Sequence, residues 1–402
     1  MKLIIPCLLF IFVSVDVCFS EGDQLQSDAP LVELIAGLES GDFSTRMRAV
    51  DFIGNRKEGA KEAVPALVDA LGDYHMRESA LHALKAIGPA ASDAIPALYE
   101  ALTAYPEQPA TRWIAAHALA NVGRAAVPIL TRGLSSSNPY ERVWCNAALA
   151  RMEGAASSHF VALAAFLSSS DKKTVKTTVE ALTMIGEPSQ VILTEILATL
   201  ERPEAPSTDL AVLLAQFGHD AAPAVPQLVR LLDHSNAMTR QRAAYALSEI
   251  GGDDVIPAIP GLVRNLSAEQ SYVREQAAVA LGSIGKPAQA AISELIGRLS
   301  DADEQARAAA VVALGKIDVS DSKVISALVG AMGDESGRVR SAAAPIVAEY
   351  APVDDDLISI FVQASEDPWK NVQHACETFF SRLGPAQRRL IPERFLDSSN
   401  RW

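Results

Sequence analysis

The stretch VREQAAVALGSIG occupies residues 273–285, and TRQRAAYALSEIG occupies 239–251. The two phrases share an Arg, an Ala-Ala pair, an Ala-Leu step and a closing Ile-Gly, and their arginines, Arg240 and Arg274, stand 34 residues apart. Self-similarity at a fixed period of this size is the mark of a repeat array. With the closing Gly as the marker, the phase runs through Gly88, Gly123, Gly154, Gly186, Gly218, Gly251 and Gly285 and continues at Asp318, Ala351 and Gly384, in steps of 31 to 35 residues. Upstream, RMRAVDFIGNRK sets Arg46 on Arg77 and makes Lys57 the first marker. The 402 residues thus hold eleven repeats.

Each repeat contains two apolar phrases of helical spacing, such as VPALVDALGD (64–73) and MRESALHALKAIG (76–88). In the second, Ala80, Leu81, Leu84 and Ile87 recur at three and four, which sets them on one stripe of a helix; strand-like alternation appears nowhere. Pro65, Pro96, Pro226 and Pro392 fall near the start of the first phrase, where a missing N–H is tolerated. Glycine closes the second phrase, as helix ends prefer. Between the phrases an Asp or Asn precedes the Arg by four: Asp42 and Arg46, Asp73 and Arg77, Asn138 and Arg142, Asn236 and Arg240, Asp303 and Arg307. These side chains are expected to cap the second helix and to meet the Arg of a neighbouring repeat. Repeat 6 (RPEAPSTDLAVLLAQFG, 202–218) lacks both, repeat 3 has the longer loop TAYPEQPAT (103–111), and Pro345 should bend the second helix of repeat 10.

A single hairpin cannot bury its own apolar face, so the hairpins must stack. The expected fold is all-α, an α-solenoid of about eleven stacked helical hairpins, HEAT/armadillo-like and superhelical, over residues 31–402. The polar leader EGDQLQSDAP (21–30) precedes it, and LIPERFLDSSNRW (390–402) reads as a C-terminal capping helix. The pattern of Asp, then VRxxAAxALGxIG, then AIPAL resembles the short HEAT repeat, particularly the phycobilisome-lyase-like kind, across almost all of 31–396. That resemblance implies that the second helices line a concave, partner-binding surface.

Residues 1–20, MKLIIPCLLFIFVSVDVCFS, combine one Lys, an apolar run from Leu3 to Val15 and small residues at Cys18 and Ser20. They read as a secretory signal peptide cut after Ser20, too short and too soon interrupted by Asp16 to span a membrane. A secreted or periplasmic chain with no integral span after cleavage is expected. Cleavage would leave Cys145 and Cys376, in repeats far apart along the array and suited to buried positions in helices. Charge excludes a further class: 35 basic against 49 acidic residues give −14, the wrong sign for a nucleic-acid partner.

Chemistry leaves no trace in the titratable residues. Histidines stand at 75, 82, 117, 159, 219, 234 and 374, none in HExxH or next to Glu, so the His-Glu pairs of the HEAT-type iron enzyme deoxyhypusine hydroxylase are absent. Neither GxSxG nor a P-loop occurs. No catalytic, cofactor-binding or metal-ligating residue is therefore expected. The positions one, five and nine after the Arg share one face of the second helix and vary from repeat to repeat. They supply the candidate partner-binding residues Glu78 and His82; Trp113, His117 and Asn121; Lys176, Glu180 and Met184; and Gln241, Tyr245 and Glu249. Trp113 either faces outward as an interface anchor or packs over the long loop of repeat 3. Asn265-Leu-Ser forms a glycosylation sequon. The expected function is an exported, non-catalytic scaffold that binds a protein or peptide. A cofactor-handling or chromophore lyase-type subunit is the alternative, opposed by the export signal.

Overall fold

A computed structural model describes residues 25–105, 108–152, 158–185, 190–202 and 205–391. The expected signal peptide (1–20), the start of the expected leader, Gly154, Gly186, part of the 103–111 loop and the 392–402 part of the expected capping helix lie outside the described residues. Among those described there are 22 α-helices and no strand, and they pair as eleven hairpins. We call the two helices of each hairpin A and B. The chain forms two compact bodies, one ending at Pro128 and one beginning at Ile129. Repeats 1–3 lie in the first, and repeats 5–11 in the second.

Within each body every B helix packs against the B helices of its sequence neighbours. The stripe read from sequence is what they bury: Ala80, Leu81, Leu84 and Ile87 are all 0% exposed. Small residues set the approach between helices. A Cβ on Gly282 would stand 2.9 Å from the Ala313 Cα, a backbone atom that cannot yield. Cys145 and Cys376 are both buried in B helices, Pro139–Ala150 and Lys370–Ser381. The described stretch long and apolar enough to cross a membrane, Pro109–Gly133, is divided at Gly123 and buries Ile114, Leu119 and Leu130 in repeat packing.

The marker position decides how one repeat joins the next. Gly88, Gly123, Gly218, Gly251 and Gly285 all take φ between 52° and 79°, the left-handed region where a Cβ is strained. Lys57, in the same phase, adopts φ 52° without being glycine. After each of these the chain enters a short 3-10 segment before the next A helix, as in Gly88–Ala94 followed by Ile95–Ala104. Asp318 and Ala351 remain at negative φ. There the 3-10 segment is missing, and the A helices Ser322–Ala331 and Asp355–Ala364 start from aspartate caps, Asp321 on the Lys323 N–H and Asp354 on the Leu357 N–H, both at 2.8 Å. The helix Gly337–Tyr350 runs through Pro345 as one element.

The repeated arginine closes its own hairpin. In seven repeats its guanidinium donates, at 2.7–2.9 Å, to the carbonyl six residues earlier, just beyond the A helix: Arg46 to Ser40, Arg77 to Leu71, Arg142 to Ser136, Arg240 to His234, Arg274 to Ala268, Arg307 to Asp301 and Arg340 to Asp334. A cation set on the carbonyl end of a helix satisfies orphan acceptors and suits the helix dipole. The preceding Asp or Asn does cap the B helix in four of the five predicted repeats, Asp42 on Thr45, Asn138 on Tyr140, Asn236 on Met238, and Asp303 on Gln305 and Ala306. Asp73 instead accepts from the His75 N–H inside its turn.

Contact with a neighbouring repeat falls mostly to a different aspartate, one standing six before the next Arg position. Arg274 grips Asp301 at 2.7 and 2.6 Å, Arg307 grips Asp334 at 2.8 and 2.9 Å, and Arg340 grips Asp367 at 2.6 and 3.3 Å. These are forked guanidinium–carboxylate pairs linking repeats 8 to 11. Elsewhere the link is weaker: Arg46 stands 3.9 Å from Asp73, while Arg77 and Arg240 donate to the amide oxygens of Gln108 and Gln270. Asn265 belongs to this structural set. It is 5% exposed and donates to the Leu232 carbonyl at 2.9 Å, so the sequon is occupied by packing in the folded chain.

Candidate interaction surface

The B helices of repeats 2 and 3, Arg77–Ile87 and Pro109–Val122, carry the densest group of predicted residues. Glu78 and His82 are exposed on the first, and Trp113 and His117 are half-buried on the second. Trp113 leans on His117, one helical turn onward, with ring centroids 4.5 Å apart and planes inclined by 50°. Lys85 from the preceding repeat brings its ammonium to 5.6 Å from the centre of the indole. The indole is thus clamped between two repeats, with part of its surface still open. Although part of its surface is exposed, the protein packed around His82 takes water away from the imidazole and pushes it below its usual range, and the charge of Lys85 adds to this.

The position nine after the Arg has a structural task in this body. Asn121 is exposed, but its amide donates to the Lys85 carbonyl at 3.1 Å and so ties the end of one B helix to the next. Gln216 repeats the bond to the Thr183 carbonyl at 2.9 Å, in the second body. Lys85 itself was missed in the sequence. Its signal is positional: the residue eight after one Arg meets the residue one after the next.

The remaining predicted residues lie in the second body. Lys176 is exposed and Glu180 half-buried on Lys172–Ile185, and the side chain of Met184 lies outside the described residues. Gln241 and Tyr245 are half-buried and Glu249 is exposed on Ala237–Ile250. Burial raises the Tyr245 phenol above its usual range, helped by the carboxylate of Glu249. The structure groups these residues helix by helix. No group of three or more His, Cys, Asp or Glu among the described residues is placed to hold a metal ion.

The HEAT-repeat family profile matches residues 31–108, 259–348 and 292–378. The chain is a HEAT-repeat protein. Importin beta, crystallised in an ammonium sulfate condition, aligns with 87% of the chain at 14% identity and a TM-score of 0.55. A chain from the structure in which Kap95p binding induces the switch loops of RanGDP to adopt the GTP-bound conformation aligns with 91% at 15% identity and a TM-score of 0.54. This HEAT-repeat chain spans about three fifths of those structures, 61% and 58% of their lengths. At such identities the likeness establishes an all-α solenoid fold and nothing finer. No curated protein sequence matches the chain.

Proposed function

We propose that this HEAT-repeat protein is an exported, non-catalytic scaffold that binds a protein or peptide on the exposed face of its B helices. The observation that carries this reading is the clamped Trp113, with His117 at 4.5 Å and Lys85 at 5.6 Å. An aromatic ring already fixed by its neighbours loses little freedom on binding, which is what makes such residues dominate interface energies. At the equivalent positions of the preceding repeat stand Glu78 and His82, so the column varies along the array as a specificity surface would.

The test is affinity capture on the immobilised chain, with the Trp113→Ala variant as control, followed by titration of the captured protein. Trp113→Ala should weaken that complex by about tenfold or more while the chain stays cooperatively folded with only a modest fall in melting temperature, since the indole is half-buried between two repeats. Equal affinity for both chains would sink the reading. So would a large drop in melting temperature, because the indole would then be serving the fold.

Export rests on the apolar run from Leu3 to Val15 and the small residues before Glu21. The expected mature chain begins at Glu21, and N-terminal sequencing of protein recovered from outside the cytoplasm tests this. A retained Met1 would end the export proposal.

A further inference from the structure

The edge of the first body where A helices turn into B helices gathers four rings. Phe43 opens the B helix Phe43–Asn55, Tyr74 and His75 lie in the turn before Arg77–Ile87, and Tyr105 follows the A helix Ile95–Ala104. Phe43 and Tyr74 keep 46% and 67% of their surfaces exposed, although the stacking core of these repeats is complete without them. His75 meets both neighbours edge to face, with centroids 6.2 Å from Phe43 and 5.3 Å from Tyr74 and planes at 81° and 86°. The row rests on guanidinium groups: Arg46 lies 5.5 Å from the Phe43 centroid, and Arg77 lies 3.9 Å from Tyr105 and 6.0 Å from Tyr74. Both arginines are held by bonds to the Ser40 and Leu71 carbonyls, so the rings are set in place in advance. Around them Glu39, Asp42, Asp69 and Asp73 are exposed.

We propose that this aromatic edge binds a proline-rich, cationic segment of a partner protein in the polyproline II conformation. This surface is separate from the B-helix face around Trp113. Rings standing perpendicular to one another leave shallow apolar notches between their planes, and a pyrrolidine ring fills such a notch without needing a deep groove. Phe43 and Tyr74 occupy equivalent places, each three before its Arg, on adjacent repeats. Neighbouring helices pack about 8–10 Å apart, and one polyproline II turn advances about 9 Å. Prolines one turn apart therefore match equivalent rings. The segment's backbone, which makes no internal hydrogen bonds, is open to the Tyr74 hydroxyl and the His75 ring. Four exposed carboxylates, of which Asp42 and Asp73 also serve the turns, against the two arginines Arg46 and Arg77 leave this edge net negative, which favours Lys or Arg next to the prolines and opposes an anionic ligand.

The probe is a fluorescein-labelled decapeptide with two Pro-x-x-Pro units and an Arg at each end, titrated by anisotropy with the full chain. Saturable binding is expected, weakened about tenfold by Tyr74→Ala, more mildly by Tyr74→Phe, which keeps the ring and loses only the hydroxyl, and unaffected by Trp113→Ala. The same peptide with its prolines changed to alanine should bind at least about tenfold more weakly. Tyr74→Ala should melt like the parent, since the ring is mostly exposed. The proposal is overturned if the parent shows no saturable binding, if Tyr74→Ala binds as well as the parent, or if the alanine peptide binds equally. A fall of several degrees in the melting temperature of Tyr74→Ala would also overturn it, by assigning the rings to the fold.

Discussion

Arg307→Ala will lower the stability of the second body by about 3–5 kcal/mol, measured as a shift in the urea midpoint and as faster amide exchange in repeats 9 and 10. Arg307 is 6% exposed, and its guanidinium serves four acceptors: both oxygens of Asp334 and the Asp301 and Ala302 carbonyls. Truncation leaves a largely enclosed carboxylate with its main counter-charge gone, which costs more than the pair contributed when intact. Lysine will not rescue it, since an ammonium cannot fork onto a carboxylate and reach a carbonyl behind it. A paired change of Arg307 and Asp334 to apolar residues of similar volume should recover most of the loss. A loss below about 1 kcal/mol for Arg307→Ala, the value of an exposed pair, would show that the bridge is solvated and the assignment wrong.

The same contacts set the response to acid. Burial opposes the charge on Asp334, but the Arg307 hydrogen bonds, the Ser336 N–H and the charges of Arg307 and Arg340 outweigh it, and the carboxyl sits below its usual range. Asp301 follows the same pattern, with burial opposed by Arg274, the Asp303 N–H and the charge of Arg298. A carboxyl whose folded pKa is depressed contributes stability that is complete above the unfolded value of about 3.9 and fades as pH falls through the folded value. The ladder should therefore hold unchanged from neutrality to about pH 5 and weaken below about pH 4. Arg307→Ala should flatten that acid limb. An identical limb in both chains would place the acid sensitivity elsewhere.

Phe379→Ala should cost about 3–5 kcal/mol. Phe361 on the A helix and Phe379 on the B helix of repeat 11 are both 0% exposed, stacked with centroids 4.0 Å apart and planes inclined by 12°. Removing one ring deletes its contacts with the other and leaves a void that two helices of one hairpin cannot easily close. Phe379→Leu keeps much of the volume and should cost about 1.5 kcal/mol or less. Thermal melts of the two variants beside the parent decide this. Equal effects would mean that the site collapses around the smaller side chain.

The fold was legible because its rules are local. Ala80, Leu81, Leu84 and Ile87 announce a packed stripe by spacing alone, and the marker phase located even Lys57, whose left-handed backbone is unusual for its residue type. What escaped were decisions made between repeats. In DADEQAR (301–307) two aspartates stand two residues apart, and nothing local tells that Asp303 caps a helix while Asp301 pairs with an arginine 27 residues earlier. The 3-10 segments were hidden for a related reason, since Ala-rich and Pro-containing stretches such as GPAASDA (88–94) suit both a loop and a tight helical turn. At the surface, Trp113 was readable as a large aromatic on a variable column. Its clamp by Lys85 depends on the register of the neighbouring helix, and Asn265 read as a modification site because sequence does not show which amide is enclosed.

The forked pairs all point the same way along the chain: Arg274, Arg307 and Arg340 each reach forward 27 residues, to an aspartate that is translated later. During synthesis, each newly emerged hairpin holds a guanidinium whose carboxylate does not yet exist. Repeats 8 to 10 are thus completed in ribosomal order, each by its successor.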